Sequence, residues 1–285
     1  MTFYEKLRKK LESKIPKKKL DLLPRSYQII GRLFLIKLKP KLTRHKKKIG
    51  NAILDLFPYI HTVFLIKGIK EKTRKPDIEV IAGCRQKKPV PYTQTLHKEY
   101  GCKFLLDISE VMWSKGNKNE RQRLIGKAKR GETIVDMFAG IGYFSIFLAK
   151  YSKAKRIYSI EINSKSAEYL RKNVWMNGVE NKIEVLEGDC RKFAQFLESI
   201  ADRIVMGYLF DTEKYLKYAL KIAKRSCFIH FHRIFKKEEL EKIKEKIAEI
   251  GKKEGYKIIF LEKKEVKTYA PNVSHYVLDL KSIKF

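Results

Sequence analysis

Long apolar runs are missing from this sequence. None reaches the roughly 18–20 residues that a membrane-spanning helix needs, so a membrane-spanning protein is not expected. The lysine-rich stretch from Met1 to Lys19 also lacks the apolar centre of a signal peptide, and the reading is a soluble, cytoplasmic protein. Cysteine is scarce: Cys84, Cys102, Cys190 and Cys227 are widely separated and form no C-x-x-C pair. That argues against a zinc ribbon or other metal site and points to reduced, mostly buried thiols. Acids are outnumbered two to one, 32 Asp and Glu against 64 Lys and Arg, for a formal charge of +32. A charge-rich thermophile surface normally gains acids along with bases, so it does not explain such an excess. Nucleic acid does, because cationic surface neutralises phosphates and releases counterions. Nothing in the pattern demands a dimer, and a monomer is expected.

What is present supports a real hydrophobic core. The 285 residues are 44% hydrophobic and 12% aromatic, enough for one large domain or two smaller ones. The chain is organised around Thr133 to Ser145, where the apolar run Thr133–Val135 ends in Asp136 and is followed by Phe138, Gly140 and Gly142. This reads as a buried strand, a tight turn and an amphipathic helix. The two glycines let the backbone turn sharply and let a nucleotide approach closely.

Residues 1–23 read as a charged, helix-compatible N-terminal segment, either a solvated helix or a basic arm on RNA. Residues 24–110 read as a small α+β module. Its strands are Ile29–Ile30, Leu33–Ile36, Thr62–Lys67, Ile78–Gly83 and Lys103–Asp107, with a helix over Lys48–Leu56. Between them, Lys37 to Lys48 is a basic hinge. Residues 111–285 form the third part. A helix is expected over Lys118–Lys129, and from Glu132 onward strands and helices alternate. Strands are expected at 133–137, 155–161, 182–186, 202–207, 226–231, 256–263 and 273–281. Helices are expected near 143–151, 164–177, 190–199, 212–224 and 236–251. Alternation of this kind makes a parallel sheet covered by helices on both faces. The loop Lys264–Asn272 is too short for a helical crossover, so the last two strands should pair antiparallel.

Several polar residues fall at the carboxyl ends of these strands, where open α/β sheets bind ligands. Glu161 lies about twenty residues after the glycines, the usual place for an acid that holds both ribose hydroxyls. Asp189, after Gly188, suits an adenine amine or simply caps the next helix. NAD is a competing guest, with Gly140-x-Gly142-x-x-Ser145 as its fingerprint. The joint pattern of Asp136, Phe138, Gly140, Glu161, Asp189 and the terminal hairpin favours S-adenosyl-L-methionine. The fold class expected is therefore α/β, a Rossmann-type transferase sheet of the S-adenosylmethionine-dependent class with a smaller N-terminal α+β module.

The stretches Asp136–Phe144 and Tyr158–Asn163, with Pro24–Tyr27, Ile30–Gly31, Pro76–Val80, Gly83 and His97–Gly101, resemble the archaeal and eukaryotic tRNA methyltransferases that make N1-methylguanosine beside the anticodon. The resemblance covers nearly everything after about residue 20. Those enzymes carry an Asn-Leu-Pro or Asn-Pro-Pro type motif on the fourth strand, whereas this chain has Met206-Gly207-Tyr208. That departure resembles the sister branch, the wybutosine-synthesis aminocarboxypropyltransferases. So do Met112–Asn117 with Glu120-Arg121, Ile229–His232, and Tyr269–Val273 with His275. The resemblance implies transfer of the 3-amino-3-carboxypropyl group of S-adenosylmethionine to C7 of 4-demethylwyosine, 3′ of the anticodon in tRNA(Phe). Methylthioadenosine would leave. N1-methylation of guanosine at the same site is the alternative, and a non-catalytic RNA-binding protein on the same fold is a third reading.

The candidate cofactor residues are Ser114, Arg121, Phe138, Gly140, Glu161 and Asp189. Ser114 would hydrogen-bond the cofactor from a loop. Arg121 would meet the methionine carboxylate or be a surface arginine. For catalysis the candidates are His230, His232 and Tyr208. The two histidines share one strand face, and either accept the departing proton or are structural. Tyr208 stacks on the target base or packs in the core. Tyr269–Asn272 reads as a loop that touches RNA.

Overall fold

The computed structural model describes residues 1–69, 76–83, 92–111, 113 and 117–285. The chain divides into two compact units, Met1–Trp113 and Ser114–Phe285.

The first unit opens with helices α1 (Phe3–Leu11) and α2 (Lys17–Leu20). Thr2 and Glu5 close a reciprocal capping box at the start of α1. Strands β1 (Gln28–Ile30) and β2 (Leu33–Ile36) follow, then helix α3 (Lys46–Leu56), strand β3 (Thr62–Ile69) and strand β4 (Pro76–Gly83). These four strands lie in the order β1-β2-β3-β4, with only β2 and β3 parallel. A separate hairpin joins β5 (Gln94–Glu99) to β6 (Cys102–Asp107). Tyr100 and Gly101 both have positive φ, the conformation that closes a two-residue hairpin.

Residues 1–23, set apart in the sequence, are folded into this unit. Leu7, Leu11, Ile15, Leu20 and Leu23 are buried with Phe34, Ile49 and Val63 in one core. The expected basic hinge Lys37–Lys48 is mostly helical. A short 3₁₀ helix over Pro40–His45 runs into α3, because Pro40 suits a first helical turn and Leu42 is drawn into the core.

The second unit begins with helix α4 (Lys118–Lys127). Then come strand β7 (Thr133–Asp136), helix α5 (Ser145–Tyr151), strand β8 (Arg156–Glu161), helix α6 (Ser164–Met176), strand β9 (Ile183–Glu187) and helix α7 (Cys190–Phe196). The chain continues through strand β10 (Ala201–Met206), helix α8 (Glu213–Ile222), strand β11 (Ala223–Lys236), helix α9 (Leu240–Lys253), strand β12 (Tyr256–Ala270) and strand β13 (Val273–Lys284). The sheet order is β12-β13-β11-β10-β7-β8-β9. The five strands from β11 to β9 are parallel, and β13 is antiparallel to both of its neighbours. The chain leaves β7 toward β8 and later returns to its other side as β10. This reversal opens a crevice at the carboxyl ends of β7 and β10.

Strands β11 and β12 outrun the sequence reading furthest. β11 continues to Lys236 rather than ending at 231, because β13 pairs with it beyond the end of β10. β12 continues to Ala270, so Lys264–Asn272 is not a loop and only Pro271-Asn272 turn the chain, with Asn272 at φ +60°. The charged residues from Lys264 to Lys267 read as loop, but β12 is an edge strand, where charge protects an unpaired edge.

Candidate active site

The crevice is built from strand ends. β7 delivers Asp136, which is fully buried and accepts a 2.7 Å hydrogen bond from the Ser145 hydroxyl at the start of α5. Burial raises its pKa to about 7, against the opposing hydrogen bonds from Ser145 and the Phe138 amide. The chain then turns through Gly140 (φ +58°), where a Cβ would lie 2.4 Å from the Tyr143 ring. Only glycine fits this turn without displacing the tyrosine.

Glu161 ends β8 and reaches back across the turn. Its two oxygens accept from the Gly140 amide at 2.7 Å and the Asn163 amide at 2.8 Å. Burial raises the Glu161 pKa, and the amides of Asn163 and Gly140 work against that rise. The Gly188 amide donates to the Glu161 carbonyl at 2.8 Å, which brings the loop carrying Asp189 to the same place. Asp189 caps α7 through the Arg191 amide, and its carboxylate also holds the Arg191 side chain at 2.9 and 3.0 Å. The side-chain hydrogen bond lowers the Asp189 pKa.

Aromatic rings line the β10 side. Phe138 stacks on Tyr208 at 5.2 Å and meets Tyr215 edge-on at 5.1 Å. The Gly207 backbone passes over Phe144, whose ring lies 3.3 Å from where a Gly207 Cβ would stand.

Arg121 is not a surface arginine. It is 1% exposed on α4, with its guanidinium 5.5 Å from the Phe147 ring. Tyr143 was not singled out in the sequence, yet its hydroxyl feels the charges of both Glu161 and Arg121, and burial raises its pKa strongly. An aromatic side chain directly after the paired glycines was the available signal.

The two histidines separate. His230 belongs to a buried ionic network and not to the crevice. Its Nε2 accepts from Arg203 at 2.7 Å, and its Nδ1 donates to Asp279 at 2.7 Å. Burial lowers its pKa, so the ring is neutral with both nitrogens used. A general base needs a free lone pair, which corrects the candidacy of His230. Arg203 also pairs with Glu132 through two hydrogen bonds of 2.8 and 2.9 Å. Arg123 holds Asp279 at 2.5 and 3.0 Å. Burial alone would raise the Asp279 pKa, but the hydrogen bonds from His230 and Arg123 hold it well below the carboxylate range. His232 lies two residues on, at the crevice edge, 5.3 Å from the Phe144 ring.

Ser114, with Met112, Lys115 and Gly116, lies outside the described residues, as does Cys84. Cys102, Cys190 and Cys227 are buried. Among the described residues no three His, Cys, Asp or Glu side chains cluster as a metal site, and no helix is long and apolar enough to cross a membrane.

Residues 95–259 match the model of the TRM5/TYW2 methyltransferase domain, and residues 7–86 match that of the TYW2 N-terminal domain. The chain belongs to the TRM5/TYW2 family. A TRM5/TYW2 relative from Pyrococcus horikoshii, named tRNA(Phe) (4-demethylwyosine(37)-C(7)) aminocarboxypropyltransferase, is 36% identical over 98% of this chain and 97% of its own length. A second, the tRNA (guanine(37)-N(1))-methyltransferase Trm5b of Pyrococcus abyssi, is 32% identical over 94% of this chain and 78% of its own. The crystal structure of P. horikoshii TYW2 in complex with MeSAdo superposes with a TM-score of 0.86, at 34% identity, over 99% of this chain and 100% of that one.

The buried acid of the TRM5/TYW2 crevice gives a pH test. Asp136 has a raised pKa in the folded chain, so its contribution to stability is full below about pH 4 and is lost as pH rises through about 7. Asp136→Asn cannot ionise. Relative to the parent, its stability is expected to climb between pH 4 and 7. Urea denaturation across that range checks this, and parallel curves would contradict it.

Proposed function

We propose that this protein transfers the 3-amino-3-carboxypropyl group of S-adenosylmethionine to C7 of 4-demethylwyosine in tRNA(Phe), releasing methylthioadenosine. The observation that carries the reading is end-to-end similarity to the P. horikoshii aminocarboxypropyltransferase, together with Gly207 where the related methyltransferases carry a base-handling asparagine. The crevice fits the donor. A partly buried carboxylate stands beside a glycine turn with positive φ, flanked by aromatic rings.

The donor supplies an activated sulfonium with three carbons open to attack, so alignment decides which one reacts. Glu161 holds the ribose hydroxyls while its backbone ties position the glycine turn. Phe138 and Gly140 form the floor. Asp189 takes the adenine amine once Arg191 swings aside. Arg121 and Ser114 hold the methionine arm. The small Gly207 leaves that arm room to present its γ-carbon instead of its methyl group. Tyr208 stacks on the target base.

The anticodon stem-loop is the partner, and the charge of +32 supplies the general attraction. The chain acts as a cytoplasmic monomer. Chromatography of the small-molecule product is the test: methylthioadenosine is expected, and S-adenosylhomocysteine would move the chain to the N1-methyltransferase branch.

A further inference from the structure

β11 carries His232 past the last residue pair it shares with β10. Met206 pairs with Phe231, and the next residues on the two strands are Gly207 and His232. His232 is therefore beside the place where the methyltransferases have their asparagine, and the Phe144 ring lies against both positions. His275 on β13 completes a pair. His232 Nδ1 and His275 Nε2 are 3.0 Å apart, and both rings are at most 1% exposed. Among the described residues, His232 Nε2 and His275 Nδ1 have no hydrogen-bond partner. A buried imidazole nitrogen left without a partner is costly, and such a group calls for an explanation. His230, on the same strand face, shows the alternative, since both of its nitrogens are engaged.

We propose that His232 is the base that removes the C7 proton of the target nucleobase, with His275 as its positioning residue. This rests on the aminocarboxypropyl reading. C7 attacks the γ-carbon of the donor arm, a C–C bond forms, and the S–C bond breaks with its electron pair going to sulfur. The C7 proton passes to His232 Nε2, and the C–H electron pair returns to the ring system. The imidazolium so formed donates its Nδ1–H to His275 Nε2. When product leaves, the proton goes to water.

The charged and titratable groups around the pair are Arg123 from α4, His230 on the same strand, Asp279 from β13 and Lys267 from β12. Burial first, and then neighbouring positive charge, keep both rings neutral, His275 with a pKa of about 4. A weak base suffices, because a ring cation carrying both its proton and the new substituent is a far stronger acid than imidazolium.

The first test needs no turnover. Protein labelled with ¹⁵N at histidine is mixed with methylthioadenosine and a stem-loop containing 4-demethylwyosine. The ring-nitrogen signals of His232 are expected to shift while those of His230 stay in place. An unmoved His232 overturns the proposal. In turnover, His232→Gln is expected to lower kcat about a hundredfold or more, as loss of a general base does. The KM for S-adenosylmethionine should hold, a C7-deuterium isotope effect should emerge, and added imidazole should restore rate. Wild-type kcat without an isotope effect overturns the proposal. Should that variant not fold, His275→Gln carries the same test, with a lower kcat and an isotope effect expected and an unchanged kcat contradicting it. Methylthioadenosine release by the wild type, measured in the same assay, separates failure of this proposal from failure of the reading beneath it.

Discussion

Glu161→Ala is expected to weaken S-adenosylmethionine binding about a hundredfold, the loss of two hydrogen bonds to a charged group. The carboxylate in this position is partly desolvated, and burial raises its pKa. Two ribose hydroxyls would be strong partners for such a group. The same side chain anchors the Gly140 and Asn163 amides, so the alanine variant also loosens the turn. Glu161→Gln separates these roles. It keeps one acceptor for an amide and loses the charge, and an intermediate affinity is expected. Titration calorimetry with S-adenosylmethionine measures both. An alanine variant that stays folded and binds within a few-fold of the parent would place the ribose elsewhere.

Arg203→Met is expected to destabilise the chain by about 3–5 kcal/mol, the cost of breaking a buried ion pair from one side. Arg203 is 2% exposed and serves Glu132, His230 and the Lys127 carbonyl at once. Removing it strands the Glu132 carboxylate, itself buried, and leaves His230 without its donor. Urea denaturation reads the loss. A cost below about 1 kcal/mol would mean that the network relaxes around the gap. The same network predicts different outcomes for the two histidines. Replacing His230 should lower stability, whereas replacing His232 should lower kcat.

Much of the second unit is legible in the sequence because its strands are short apolar runs separated by amphipathic helices. Asp136, Gly140, Glu161 and Asp189 each follow such a run, so their place at one edge of the sheet follows from the alternation alone. The roles of His230 and His232 do not follow. Their spacing of two puts them on one face, but Arg203 and Asp279, which occupy His230, come from other strands 27 and 49 residues away. Arg121 read either as a contact to the methionine carboxylate or as a surface arginine on a basic helix, and the fold settles only that it is buried, with its guanidinium near the Phe147 ring. Asp189 read as an adenine ligand or a helix cap. In the structure it caps α7 and binds Arg191. The charged run in β12 hid a strand because charge marks an exposed edge as readily as a loop.

The central claim is that the donor's aminocarboxypropyl arm, not its methyl group, moves to RNA. S-adenosylmethionine labelled separately in the methyl group and in the carboxyl group, incubated with tRNA(Phe) carrying 4-demethylwyosine, tests it in one measurement. The account predicts that the carboxyl label enters the RNA while the methyl label stays in solution. Methyl label in the RNA, with the carboxyl label left behind, would contradict it.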